Sequence, residues 1–194
     1  MSGLATATVP STGTLECIAE THSLKLGDMS LPEVCVCYLI RSGADGDEVL
    51  LGRKKFGLGE GNLVGPGGKI EAGETPVQAI VREVAEETGV SVAADSLQLV
   101  GELTYPFPHK PAWSQKSWVF LCREWEGEPT ESDELVPTWF PISEIPFHRM
   151  WDDARYWLED ALGARFVTAT FEFGRDLRTV EASDHPRFGV AHSR

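Results

Sequence analysis

The sequence has few cysteines, no long apolar run and no pattern typical of an export signal. Its four cysteines lie at positions 17, 35, 37 and 122, without a second pair or a histidine at zinc-site spacing, so we expect buried free thiols. No apolar run is long enough to span a bilayer. The N-terminus lacks a basic region followed by an apolar core, so we expect a cytoplasmic protein without membrane contact.

Basic residues are scarce as well. The chain carries 17 Lys and Arg against 30 Asp and Glu, which gives a formal net charge of −13. Such a surface repels nucleic-acid polymers and anionic membranes, because binding them requires clustered Lys and Arg. A small anionic ligand accompanied by a metal ion remains compatible with this charge.

The chain is long enough for one domain with its own apolar core. Its 194 residues are 42% hydrophobic and 24% charged, and show no internal repeat and no dividing linker. Residues 1–30 are rich in Ser, Thr, Gly and Ala, and we interpret them as an N-terminal extension. We expect the domain at residues 31–182 and a C-terminal tail at 183–194.

Apolar periodicity and turn residues predict an α+β fold. Strands are predicted at residues 33–41, 48–54, 97–105, 116–123, 138–140, 166–173 and 177–182. Helices are predicted at 76–88 and 152–162. Helices combined with strands in this order favour a layered sandwich around a mixed sheet.

The helix predicted at residues 76–88 has signals at both ends. Thr75 and Gln78 have capping-box spacing, Pro76 takes the first helical position, and Gly89 follows where a left-handed cap is common. These residues define the helix from the sequence alone.

Three carboxylates share one face of this helix. Glu83, Glu86 and Glu87 have i, i+3 and i+4 spacing, at which like charges repel. Oxygen ligands without His or Cys suit Mg²⁺ or Mn²⁺ better than zinc, and Mg²⁺ is commonly completed by substrate phosphates. The alternative is a solvated acidic helix face.

The segment before the helix is rich in glycine. Residues 65–69 allow a close backbone approach, so a carbonyl or amide here could meet a metal or a phosphate, although such turns often only connect elements. Arg82 is either a surface residue or a partner of Glu74. In the second case, it would fix the loop against the helix and position the ligands.

The glycines, glutamates and arginine of residues 68–90 stand, position for position, as in the signature of the Nudix hydrolases. The resemblance implies a Nudix-type α/β/α sandwich with a mixed β-sheet, and Mg²⁺-dependent hydrolysis, with Mn²⁺ able to substitute. It makes the carbonyl of Gly68 and the carboxylates of Glu83, Glu86 and Glu87 the expected metal ligands, with Arg82 beside them. Which glutamate acts as the general base is not fixed across the family.

Residues 54–59, 131–140 and 145–151 resemble one MutT-like branch of that family, the oxidised purine nucleoside triphosphatases. In that branch, a glutamate matching Glu134 lies near the metals, and Trp151 meets the base together with an aspartate matching Asp153. From the residues alone, a solvated turn explains Glu134 equally well, and the five other tryptophans compete with Trp151.

The chain departs from this branch at two base-reading positions, which hold Val64 and Ala154. Further candidates for substrate contact are Lys54, Asn62, Tyr105 and Phe107. Losing polar partners costs discrimination. We therefore expect broad or altered purine specificity.

The resemblance implies cleavage of oxidised purine nucleoside triphosphates such as 8-oxo-dGTP to monophosphate and pyrophosphate, as in nucleotide pool sanitation and DNA repair. The expected partner is a small nucleotide, and the expected state is a monomer or homodimer.

Hydrolysis of a nucleotide sugar or dinucleotide remains an alternative. A nucleotide-sensing module would be expected to lose catalytic carboxylates, which this chain retains. An isoprenoid diphosphate isomerase would need additional metal-binding histidines.

Overall fold

A mixed β-sheet with two helices forms the part of the chain that the computed structural model describes, residues 30–44 and 46–190. The predicted N-terminal extension lies outside the described residues. The strands are β1 (Glu33–Gly43), β2 (Gly46–Lys54), β3 (Leu63–Val64), β4 (Leu97–Tyr105), β5 (Gln115–Cys122), β6 (Leu135–Pro141), β7 (Val167–Phe173) and β8 (Val180–Ser183). The helices are α1 (Pro76–Thr88) and α2 (Ala154–Leu162).

The strand order is β3-β2-β1-β5-β4-β7-β8, and β6 also pairs with β2. The β1–β5 and β4–β7 pairs are parallel, whereas β1–β2, β2–β6, β4–β5 and β7–β8 are antiparallel. This mixed sheet confirms the predicted α+β class.

Each face of the sheet has its own apolar core. On β1, Cys37 and Leu39 cluster with Ile80 of α1, whereas Tyr38 and Ile40 belong to the cluster that contains α2. Because side chains alternate along a strand, β1 serves both cores at once. The helices therefore cover opposite faces, as the predicted sandwich requires.

Helix α1 has the bounds and caps that the sequence predicts. The side chain of Thr75 accepts from the N–H of Gln78, the Gln78 side chain accepts from the N–H of Thr75, and Pro76 begins the helix. Gly89 ends it with φ 75°, a left-handed conformation that glycine adopts without strain. Both ends of the acidic helix are thereby fixed.

The sequence underestimated one strand and missed another. The segment predicted at 138–140 is the seven-residue strand β6, which pairs with β2 from Leu135 to Pro141. Strand β3 has only two residues and is defined by its pairing with β2, so no local sequence pattern predicts it. Tertiary pairing sets both lengths.

The predicted C-terminal tail is in part a packed segment. Asp184 accepts a hydrogen bond from the backbone N–H of Thr170 at 2.7 Å, and the ring of Phe188 lies 5.4 Å from that of Tyr156 in α2. The described part of residues 183–194 therefore belongs to the domain, because its charges and ring find partners on β7 and α2. Within the described residues, no helix is both long and apolar enough to cross a membrane.

Candidate active site

A cavity of about 700 Å³ lies over the α2 side of the sheet and reaches the acidic face of α1. One end is lined by Glu83, Glu86, Arg82 and Glu134, and we call it the carboxylate end. The other end is lined by Tyr105, Phe107, Trp151, Asp153, Trp157 and Phe173, and we call it the aromatic end. Residues that are distant in sequence therefore share one cavity.

Arg82 organises the carboxylate end. Its Nε and one terminal nitrogen each donate to an oxygen of Glu74 at 2.8 Å, in a bidentate pair that lowers the pKa of Glu74 to about 2. Its other terminal nitrogen donates to Glu83 at 2.8 Å and to Glu86 at 3.1 Å. The terminal nitrogen that bonds Glu74 also donates to the carbonyl of Lys69 at 3.0 Å, so Arg82 joins the loop to the helix.

Glu87 is the most buried of the three helix carboxylates, with 3% of its side chain exposed. One of its oxygens accepts from the backbone N–H of Gly67 at 2.8 Å, and the other lies 3.8 Å from Nζ of Lys54. Burial raises its pKa to about 7, despite the opposing effects of Gly67 and Lys54. Glu87 is therefore a carboxylate whose charge is poorly compensated in the absence of a cation.

Two glycines let the loop approach both the sheet and the helix. A Cβ on Gly67 would lie 2.1 Å from the carbonyl oxygen of Cys35, and one on Gly68 would lie 2.5 Å from Oε1 of Glu83. The carbonyl of Gly68 accepts from the N–H of Cys35 at 2.8 Å and from the thiol of Cys35 at 3.7 Å. Only glycine fits at Gly67, whereas a Cβ on Gly68 would displace the carboxylate of Glu83. Gly68 therefore lets this carboxylate lie against the loop.

Glu134 reaches the same end from the loop before β6. It is exposed, and its negative charge contributes to raising the pKa of both Glu83 and Glu87. Lys54 also lines the cavity, whereas Lys55 bonds the carbonyl of Ser132 at 2.5 Å and Glu131 at 2.6 Å. Lys54 is thus the lysine of this pair that lines the cavity, and Lys55 holds the loop.

The aromatic end is a cluster of rings around Trp151. Phe107 and Phe173 stack with centroids 4.6 Å apart, and Trp151 meets them edge to face at 6.2 Å and 5.5 Å. Gly59 approaches so closely that a Cβ there would lie 2.8 Å from Nε1 of Trp151. The loop after β2 therefore packs against the tryptophan at the cavity wall.

Asp153 lies at the aromatic end but is only 3% exposed. Its carboxylate accepts from Nε1 of Trp157 at 2.7 Å and from the hydroxyl of Tyr105. Burial raises its pKa to about 6, against the effect of these two hydrogen bonds. Asp153 therefore lines the cavity, but it also holds two of the surrounding rings.

Asn62 is not brought to the cavity. Its backbone N–H donates to the carbonyl of Gly59, and its carbonyl accepts from Lys54, so it forms part of the turn before β3. Val64 and Ala154, which replace polar groups in the resemblance, do line the cavity. Asn62 is thus not among the residues that line the cavity, and its contact with substrate stays a prediction.

Several residues that line the cavity were not predicted from the sequence. They are Val34, Val36, Tyr38, Phe56, Leu58, Gln115, Ser117 and Met150. The alternation of β5 could have found two of them, since Gln115 and Ser117 share the face that Val119 buries. These two polar residues lie on the cavity floor.

The Nudix domain family matches residues 29–161 of the chain. That is more than half of the sequence, and it contains every residue named at the two ends of the cavity except Phe173. The chain belongs to the Nudix family. Its carboxylates, Arg82 and the glycine-rich loop are the parts that the family signature implied.

Two curated proteins and one solved structure show which members of the family the chain is similar to. The chain is 41% identical over 130 residues to an oxidized purine nucleoside triphosphate hydrolase of Danio rerio, covering 66% of this chain and 81% of that protein. It is 39% identical over 132 residues to the enzyme of that name from Mus musculus, covering 68% and 82%. The crystal structure of a mutator MutT protein from Bacillus halodurans matches with TM-score 0.65 and 27% identity, covering 79% and 96%. The chain is a Nudix hydrolase.

The donor set of this Nudix hydrolase fits a divalent cation. Glu83, Glu87 and Glu134 approach one another without enough positive charge nearby, since burial and mutual repulsion raise the pKa of the first two. In residues 30–44 and 46–190, no three His, Cys, Asp or Glu side chains are already grouped at metal-binding distance. Arg82 explains part of this, because it draws Glu83 and Glu86 towards its own guanidinium.

Proposed function

We propose that the chain hydrolyses oxidised purine nucleoside triphosphates, such as 8-oxo-dGTP, to the monophosphate and pyrophosphate. The observation that carries this proposal is the continuity of the cavity, which joins a carboxylate end to an aromatic end. A purine stacks on rings, and a triphosphate needs cations and oxygen ligands. The two similar proteins named above act on oxidised purine triphosphates by their names.

Mg²⁺ is the proposed cofactor, and Mn²⁺ can take its place. Glu83, Glu86, Glu87 and the carbonyl of Gly68 would hold it, because hard cations of this size prefer oxygen ligands. Such an ion lowers the pKa of an attacking water and offsets charge on the phosphates.

The remaining groups of the carboxylate end transfer a proton, contact a phosphate and position the glutamates. Glu134, on a separate loop and exposed, is placed to accept a proton that the helix carboxylates do not reach. Lys54 contacts a phosphate oxygen from the cavity wall. Arg82 keeps Glu83 and Glu86 on one side of the helix through hydrogen bonds of 2.8 and 3.1 Å.

The aromatic end binds the base. Trp151 offers a ring face, and Tyr105 and Phe107 complete the apolar wall. Asp153 is the acid nearest to these rings, but Trp157 and Tyr105 already occupy it. Because Val64 and Ala154 offer no polar side chain, we propose weaker discrimination among purines than a fully polar pocket would give.

The experiment is a panel of normal and oxidised nucleoside triphosphates, scored for Mg²⁺-dependent release of pyrophosphate. We expect release with purine triphosphates, with Glu87→Gln greatly slowed and the exposed Glu128→Gln unchanged. Release of sugar phosphate from a nucleotide sugar, without pyrophosphate release, would replace the proposal by the alternative Nudix reaction. Nucleotide binding without any turnover would indicate a sensing module.

A further inference from the structure

Two polar side chains on β5 have no role in the site as described so far. Ser117 is only 4% exposed, and it lines the cavity together with Gln115 two residues earlier. Among residues 30–44 and 46–190, no hydrogen-bond partner is found for the hydroxyl of Ser117 or for the side-chain amide of Gln115. Every fully buried side-chain oxygen and nitrogen of the described residues has a partner. The Ser117 hydroxyl is therefore open to the cavity, where a ligand can bond it.

The strand order fixes where these two residues lie in the cavity. The loop that carries Gly68 hydrogen-bonds to β1, which adjoins β5 on one side. On the other side, β5 adjoins β4, which leads to Tyr105 and Phe107, and β7 follows. Strand β5 therefore runs between the carboxylate end and the aromatic end.

The cross-strand register confirms that both side chains share the cavity face. Ser117 pairs with Leu103 of β4 and with Val34 of β1, and Gln115 pairs with Tyr105. Paired residues of neighbouring strands point to the same face of a sheet. Gln115 and Ser117 thus form a polar strip on the floor, midway along the cavity.

We propose that Ser117 and Gln115 bind the hydroxyl groups of the ribose of a nucleotide. The inference rests on the proposed function, in which the phosphates occupy the carboxylate end and the base occupies the aromatic end. The sugar joins the two, so it lies over β5. Serine hydroxyl and glutamine amide both donate and accept, as sugar hydroxyls do, whereas phosphate oxygens at pH 7 mostly accept.

The proposal is tested by binding, without turnover or metal. Tryptophan fluorescence is titrated with GMP and with 2′,3′-dideoxy-GMP for the wild type, Ser117→Ala, Gln115→Leu and the double variant. We expect the wild type to prefer GMP. Each single variant should lower GMP affinity about three- to tenfold and leave dideoxy-GMP affinity unchanged, which is the range of one net hydrogen bond. In the double variant, the two affinities should converge.

Matched controls are available on the exposed surface. Ser91→Ala and Gln98→Leu make the same chemical changes at exposed positions that do not line the cavity, and they should alter neither affinity. Gln115 begins its strand and is only partly buried, so Gln115→Leu tests the proposal even where Ser117→Ala fails to fold.

Equal loss of affinity for both ligands would overturn the sugar assignment, because it would show a packing or base contact instead. The ratio of kcat/KM for GTP and 2′,3′-dideoxy-GTP gives a second readout, and it should fall in the same variants. Absence of Mg²⁺-dependent pyrophosphate release from every triphosphate would refute the proposed function, and the inference with it. Failure of an active wild type to bind GMP would refute the inference alone. Binding of both with an unchanged ratio in the variants would refute the inference alone.

Discussion

The carboxylate end and the aromatic end of the cavity are built in different ways. The carboxylate end comes mainly from one continuous stretch, the loop at Gly67 and Gly68 followed by α1, with Arg82 bonding both parts. The aromatic end is assembled from β4, β7, α2 and the loops beside them. A local motif can thus define chemistry, whereas the choice of base depends on long-range packing.

The largest expected effect falls on the carboxylate end. Glu83→Gln should lower kcat about 10²- to 10³-fold, because it removes a carboxylate charge that lies against the loop at Gly68. The measurement is the steady-state rate of pyrophosphate release at saturating Mg²⁺. The exposed Glu128→Gln serves as control. A rate within twofold of wild type would show that the motif does not perform the chemistry.

A smaller loss is expected when Arg82 is replaced. Arg82→Lys cannot keep the bidentate pair with Glu74 and the bonds to Glu83 and Glu86 together. We expect kcat to fall about 10- to 100-fold, as for other groups that orient ligands. Glu74→Gln, which keeps one acceptor, should lose less. If Arg82→Lys affects only KM, Arg82 contacts substrate and does not position the glutamates.

At the aromatic end, the buried carboxyl of Asp153 should make the stability of the protein depend on pH. The pKa of Asp153 is raised from 3.8 to about 6, so the folded protein retains a proton that the unfolded chain has lost. The contribution of this carboxyl to the free energy of unfolding, measured against Asp153→Asn, is therefore fully present below pH 3.8. It declines as the pH rises through 6, by up to about 3 kcal/mol.

Urea unfolding of the wild type and Asp153→Asn between pH 4 and 7 measures this change. Asp176→Asn is a useful comparison, because the pKa of that exposed carboxyl is lowered to about 2 by its bonds to Thr179 and Arg178. Its difference from wild type should therefore stay nearly constant between pH 4 and 7, because that contribution is lost only as the pH falls from about 4 towards 2. A constant difference for Asp153→Asn would mean that its carboxyl ionises normally in the fold.

The smallest effect should appear in affinity for the base. Trp151→Leu should raise KM for purine triphosphates about tenfold and change kcat little, since stacking contributes about 1–3 kcal/mol per base. Trp118→Leu is the control, because its ring lies under Lys116 and its Nε1 bonds Glu33 outside the cavity. A fall in kcat with unchanged KM would place Trp151 in the chemistry instead.

The same contrast explains what the sequence could predict. Helix α1 is set by residues within it and at its ends, so its bounds and the Arg82–Glu74 pair could be predicted. The length of β6 and the existence of β3 depend on pairing with β2. Asn62 is a candidate for substrate contact from its sequence position, but its backbone bonds to Gly59 and Lys54 place it in a turn, and it does not line the cavity.

Buried polar groups were the hardest to predict. Gln115 and Ser117 lie beside Lys116 and Trp118 at the start of β5, so no apolar alternation there marks which face of the strand they take. Only the sheet order shows that their face is the floor of a cavity. Asp153, similarly, has a sequence position that indicates base contact, while its contacts with Trp157 and Tyr105 become visible only in three dimensions.

The most direct test of the metal-binding carboxylate end is a Mn²⁺ titration followed by electron paramagnetic resonance, comparing the wild type with Glu83→Gln/Glu87→Gln. Free Mn²⁺ gives a sharp signal that decreases on binding. We predict that the wild type removes this signal in the presence of nucleotide and that the double variant does not. Equal binding of Mn²⁺ by both proteins would contradict the assignment of the α1 carboxylates as metal ligands.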